Sequence, residues 1–210
     1  MADVVTPTGC NAIDLYESLD FCDGKTVLPG IRPKVFFQKK SNIVTWPKLP
    51  DLEDAKSMGA LATYAGNFVL AADKKWLTLK SLSTKSNVTS EVQGEKPSRT
   101  TLNKCTLKHP GTEEEAAGFC RQATADDLVY LVQQRNGKFR VMGCEEFETD
   151  TKPAQALGEG ITGEAGTTLE IEATDLCPAP FYPGKIETED GDISGADGTA
   201  WADPAPVPEA

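Results

Sequence analysis

The chain holds one histidine, His109, so any Ser/His/Asp triad or Cys/His couple would have to be built on it. His109 stands beside Pro110 and Gly111, immediately ahead of a helix-start signal, and reads as an exposed turn residue rather than a general base. The six cysteines, Cys10, Cys22, Cys105, Cys120, Cys144 and Cys177, contain no C-x-x-C pair, and with a single imidazole they make no zinc ligand set. Acidic runs at Glu113, Glu114 and Glu115 and at Glu145, Glu146 and Glu148 have the residue type for a hydrolase or a divalent-cation site. Helix capping accounts for the first run, and the second reads as a solvated face, the usual fate of a lone acidic run. Gly158-Glu-Gly160-Ile-Thr-Gly163 spells the dinucleotide fingerprint, whose mechanism needs a strand before it and a helix after it. Pro153 interrupts the preceding residues and a strand pattern follows, so the stretch reads as a glycine-rich loop. Asn87-Val-Thr89 is a glycosylation sequon without a secretory signal to give it meaning. No catalytic, cofactor-binding or metal-binding residue is assigned, and a non-enzymatic protein without a cofactor is expected.

Of the tryptophans, Trp46 and Trp76 read as core or interface anchors. Trp201 stands alone in an acidic tail, either as an unstructured residue or as a short docking motif.

Composition narrows the classes further. A chain of 210 residues supports one good core with appendages. Net charge is −11, and residues 189–210 supply six of the acids (Glu189, Asp190, Asp192, Asp197, Asp203, Glu209) and no base. The remaining body is mildly acidic, which argues against holding nucleic acid by counterion release. A surface that DNA passes without sticking stays compatible with that charge. No apolar run is long enough to span a membrane, and Met-Ala-Asp-Val-Val-Thr-Pro lacks the basic start and apolar centre of a signal peptide. Synthesis in a reducing cytoplasm is therefore expected, with the cysteines mostly acting as small buried hydrophobes and bridges left open for an oxidising setting.

The elements follow from pattern. Residues 1–30 are weakly patterned and read as an N-terminal arm. Val35-Phe36-Phe37 is strand-like, with Ile43-Val44-Thr45-Trp46 expected as its hairpin partner. Pro47 and Pro50 end that pattern, and residues 51–66 form a long excursion with one helical turn expected at 52–58. Further strands are expected at 67–70, 76–82, 88–93 and 100–107. Thr112 with Glu115 matches a capping box, and Ala116, Phe119, Cys120 and Ala123 share one face, predicting a helix over 112–125 that covers the sheet. Residues 128–144 carry the clearest signal: two apolar runs around Asn136-Gly137, the pair suited to a two-residue type I′ turn. The first run is apolar on both faces and should be central. Residues 145–166 read as a glycine-rich linker. Leu169 and Ile171 alternate with Glu170 and Glu172 in a last strand at 168–173. A proline-aromatic exit at 178–184 leads to Ile186, and residues 189–210 read as a disordered acidic tail. The fold class is mainly β: an antiparallel β-sandwich or barrel over 31–188, with one flanking helix, a long early loop and extended terminal arms.

The helix, the hairpin 127–143, the glycine-rich stretch 158–166, the strand Thr168-Leu-Glu-Ile-Glu-Ala173 and the exit Pro178-Ala-Pro-Phe-Tyr-Pro-Gly184 together resemble the tail tube (major tail) proteins of long-tailed bacteriophages, in versions carried by phages of Bacteroidetes-type hosts. The likeness covers roughly residues 110–186, and the strands from Ile31 onward fit more loosely. It implies a virion structural protein made in the host cytoplasm. Six copies would form a ring, and rings would stack into a hollow tube that conducts the genome and meets other tail proteins. No catalysis, metal, cofactor, membrane or specific nucleic-acid binding is implied, only transient contact with passing DNA. Residues 47–66 and 1–30 would serve stacking between rings, and an acidic lumen would suit Glu170 and Glu172. The cysteine content and the tail with Trp201 depart from the family. Two other readings stay open: a capsid or head–tail connector protein, and a non-enzymatic β-sandwich module binding carbohydrate or peptide.

Overall fold

The computed structural model describes residues 14–202. Runs of β-branched and aromatic residues form strands β1 (Ile31–Lys39), β2 (Ile43–Thr45), β3 (Val69–Leu70), β4 (Leu77–Lys80), β5 (Asn87–Gln93) and β6 (Thr100–His109). They continue as β7 (Leu128–Gln134), β8 (Phe139–Met142), β9 (Thr149–Ala156), β10 (Gly166–Asp175), β11 (Phe181–Tyr182), β12 (Lys185–Thr188) and β13 (Gly191–Ser194). Two α-helices, α1 (Met58–Leu61) and α2 (Glu114–Ala123), and a 3-10 turn at Lys40–Asn42 complete the described elements.

The strands pair antiparallel into two main sheets, ordered β11-β8-β7-β1-β4 and β5-β6-β10-β9, with small ribbons β2-β3 and β12-β13. The sheets stack as an open sandwich and do not close into a barrel. Between them Val35, Leu79, Tyr130, Val132 and Met142 meet Cys105, Leu107, Leu169, Ile171 and Ala173. The first sheet is covered on its other face too, by a second core. There Phe36, Val129, Leu131, Phe139 and Val141 lie under Tyr64, Phe68, Trp76, Tyr182 and Ile186. A strand buried on both faces reads as a continuous apolar run, and β7 is the middle strand, as its sequence predicts.

Several expectations need correcting. β2 pairs with β3 rather than β1, whose two sides are occupied by β4 and β7. Residues 145–166 are not all linker: β9 lies within them, with Thr149 and Thr151 turned inward. Pro153 is tolerated there because β9 is a sheet edge, where a missing donor costs nothing. The predicted capping box does not form; α2 starts after Glu113, which makes no side-chain cap bond. Ala116, Phe119, Cys120 and Ala123 do share the helix's less exposed face. That face closes one end of the sandwich rather than covering the sheet: Phe119 meets Phe37 edge-on at 5.2 Å, and α2 touches β9. The partner that covers β7 on that side is the second sheet.

The early helical turn falls at α1 instead of 52–58 because Ser57 caps it, its Oγ accepting from the Ala60 N–H at 3.3 Å. The loop over 47–66 folds back onto the first sheet. Lys48 and Ala65 bridge its base, and the Tyr64 N–H donates to the Phe181 carbonyl at 2.9 Å.

The hairpin turn also differs from expectation. Gly137 has a positive φ of +99°, but Asn136 does not. The Gln134 N–H donates to the Lys138 carbonyl and the Gly137 N–H to the Gln134 carbonyl, giving a three-residue loop with Gly137 in the left-handed position. The tail closes over it: a Cβ at Gly137 would lie 2.8 Å from the Asp197 carbonyl oxygen.

Residues 189–202 are accordingly folded, not disordered. β13 pairs with β12, Ile193 packs against the second core, and the Trp201 N–H donates to the Asp192 carbonyl. Acid-rich composition hid a hairpin turned at Glu189 and Asp190, with Gly191 opening β13 at a φ of +113°. Residues 203–210 and 1–13, with Cys10, lie outside the described residues. Within the expected arm, residues 14–30 form no strand or helix.

Candidate functional site

The residues with chemical potential are kept apart. His109 ends β6, and its Nδ1 is 2.7 Å from the Lys80 carbonyl; its ring packs over Gly111, where a Cβ would fall 2.6 Å from Nε2. No hydroxyl or thiol nucleophile is bonded to it among the described residues. Gly158, Gly160 and Gly163 lie in the loop joining β9 to its antiparallel neighbour β10, so no helix N-terminus follows them to take a phosphate. Glu113, Glu114 and Glu115 are exposed at the start of α2, and Glu148 is exposed ahead of β9. Asn87, Val88 and Thr89 begin β5.

Cys105 and Cys144 are buried thiols, and burial pushes their pKa values up to about 12 and about 11. Cys22, Cys120 and Cys177 are also unbridged. Trp76 is buried against Phe68 at 5.3 Å, and Trp46 meets the same ring at 5.4 Å. Trp201 is held by the folded tail rather than left free.

What the fold leaves available is surface. β5 is an edge strand of seven residues without proline, and among the described residues nothing pairs with its outer side. Val92, on the same side of that strand as the half-buried Val88, is 68% exposed. Beside it opens a groove of about 340 Å³ between β5 and the first sheet, reached by Gly30, Ile31, Val88, Ser90 and Arg140. Gly30 is where the arm leaves the sandwich. Along the arm Tyr16 and Leu19 are 92% and 90% exposed, and Phe21, Val27 and Leu28 are exposed as well.

The wall of the groove is fixed by Arg140. Its guanidinium donates to the carbonyls of Pro178 at 3.1 Å and Ala179 at 2.9 Å and lies 4.0 Å from the centre of the Phe181 ring. Asn103 holds the same turn, its Oδ1 accepting from the Ala179 N–H at 2.8 Å, which keeps Ala179 at a φ of +28°.

The outer face of the second sheet is a different kind of surface. Glu172 accepts from Lys152 at 2.8 Å, Lys104 pairs with Glu91, and Lys152 reaches Asp150 at 3.1 Å. Glu170 lies opposite Lys152. Glu170 and Glu172 therefore belong to a mixed-charge ladder and do not make this face acidic. No helix among the described residues is long and apolar enough to cross a membrane. No protein-family model matches this chain, and no curated protein or solved structure matches it.

Proposed function

We propose that this chain is a self-assembling structural subunit of the tail-tube kind, acting by association rather than catalysis and built into a virion tail as stacked, genome-conducting rings. The observation that carries the reading is the open β5 edge beside the root of an arm rich in exposed apolar side chains. An unpaired edge presents a row of free N–H and C=O groups that a second copy completes. A strand added at β5 extends the second sheet, covers Val92 and roofs the groove at Gly30. The arm supplies a segment with apolar residues to bury and no place of its own in the sandwich. The mixed-charge outer face suits transient passage of DNA rather than specific binding.

The test is electron microscopy and sedimentation of the purified full chain over a range of concentrations. Rings that stack into tubes are the expected result. A chain that stays monomeric at high concentration, and is monomeric in virion extracts, overturns the reading. Val92→Pro removes an edge donor from β5 at an exposed side chain and should abolish assembly while leaving the fold intact.

A further inference from the structure

The loop over 47–66 and the end of β10 enclose a cavity of about 250 Å³, lined by Trp46, Asp51, Tyr64, Glu145, Glu146 and Asp175. Asp175 is 2% exposed. Its Oδ1 accepts from the Leu176 N–H at 2.6 Å, while its Oδ2 has no hydrogen-bond partner. The Tyr64 hydroxyl and the Cys177 N–H face the carboxyl group and offset part of the cost, though neither completes a hydrogen bond to Oδ2. A buried carboxylate oxygen left unpaired is expensive, and folded proteins ordinarily avoid it. Lys48, the cation in the lining, is exposed and in no ion pair among the described residues. The cavity thus brings carboxylates and two aromatic walls beside a buried anion that lacks its counter-charge.

We propose that this cavity is a receptor for a primary alkylammonium group, anchored by Asp175, with Glu146 beside it and Trp46 and Tyr64 as aromatic walls. The geometry favours an ammonium over the other cations. No group of three His, Cys, Asp or Glu side chains among the described residues is placed to hold a metal ion. A guanidinium pairs best when both oxygens of a carboxylate are free, and Asp175 has one oxygen committed to Leu176. A compact ammonium needs only the remaining one, and aromatic faces attract it as well. The source is either a free amine or a lysine side chain presented by another protein surface. The site stands whether or not the chain assembles.

Binding should depend on pH through Asp175. Burial, with a contribution from Glu146, raises its pKa to about 6. The groups facing it are Tyr64, Lys48 and Asp51 from the loop, Cys144, Glu145 and Glu146 after β8, and Cys177 just beyond β10, with Arg140 next to Cys177. The two thiols are pushed up to about 11 and about 12 and stay neutral in the working range.

The test is titration of the full chain with n-butylammonium chloride, following the Leu176 and Tyr64 amide signals by NMR against sodium chloride at matched concentration. Saturable shifts are expected at pH 7.5, with affinity about tenfold weaker at pH 5, where Asp175 is mostly protonated. Asp175→Asn should weaken binding at least tenfold, and Trp46→Ala several-fold. Butylguanidinium should bind more weakly than butylammonium. A lysine with both backbone ends blocked separates the sources: shifts with it assign a lysine-accepting site, and shifts with butylammonium alone assign a free amine. No saturable shift at either pH, or equal binding by Asp175→Asn, overturns the proposal. Should that variant fail to fold, pH-independent binding by the natural chain overturns it equally.

Discussion

β7 in the first sheet is buried along nearly its whole length, whereas β10 in the second buries alternate residues and shows the others to solvent. The two strands sit at comparable places in their sheets, yet they depend on different things. β10 is held by long in-register pairing with β6 and β9, and its outer face needs no cover. β7 needs cover on both sides. One side comes from the second sheet, the other from segments outside either sheet: the loop around Tyr64 and Phe68, and the ribbon after Phe181. The first sheet therefore carries stability that depends on distant parts of the chain, while the second offers its edge and face for contact.

The sharpest way to break this comparison is to remove a side chain from the cover of the first sheet. Trp76→Ala, at a residue 1% exposed, should cost about 3–5 kcal/mol in denaturant unfolding. A cost near that of a surface substitution would show that the second core is not needed.

Asp175→Asn is the next largest effect, and it should stabilise. The carboxyl titrates at about 6 in the folded protein against 3.8 when exposed, so the folded state holds the proton more tightly. The ionised group weighs against folding above about pH 6, and the penalty disappears as pH falls toward roughly 4. The natural chain should gain stability relative to the variant between pH 7.5 and pH 5. At pH 7.5 the variant should be more stable by up to about 3 kcal/mol, read from urea midpoints at both pH values. An unchanged pH profile would mean the buried oxygen is satisfied.

Val92→Lys on the open edge should move stability by no more than about 0.5 kcal/mol while lowering any self-association seen by sedimentation. At the small end, Lys152→Ala should leave the unfolding midpoint unchanged, because its ion pairs with Glu172 and Asp150 are solvent-exposed. A clear loss there would mean that the outer ladder does more than decorate the sheet.

Periodicity revealed the parts of the fold whose burial is set locally. The two-faced apolar run of β7 and the alternation of β10 both identify their positions. β9 was invisible because Thr149-Asp-Thr-Lys-Pro-Ala-Gln-Ala156 has little strand propensity; pairing with β10 imposes its conformation. The partner of β2 is not legible in the sequence because pairing depends on which strand edges remain vacant, a property of the whole sheet. Nothing local marks Asp175 either. It follows Ala173 and Thr174 at the end of an ordinary strand, and its isolation arises only when the loop bearing Tyr64 folds over it. Glu145 and Glu146 stand out in the sequence as an acidic run, but nothing local places them beside a buried carboxylate.

The seating of residues 181–201 over the first sheet has a consequence for how the protein is made. Translation delivers β1, β7 and β8 well before Tyr182, Ile186 and Ile193 exist. Until those residues emerge, Phe36, Val129, Leu131, Phe139 and Val141 lack part of their roof. The nascent chain thus carries an unfinished apolar wall for a stretch of its synthesis, and the segment that seals it also lays Asp197 against the turn at Gly137. A chain released just short of Phe181 would hold a half-covered sheet, with that apolar wall open to water.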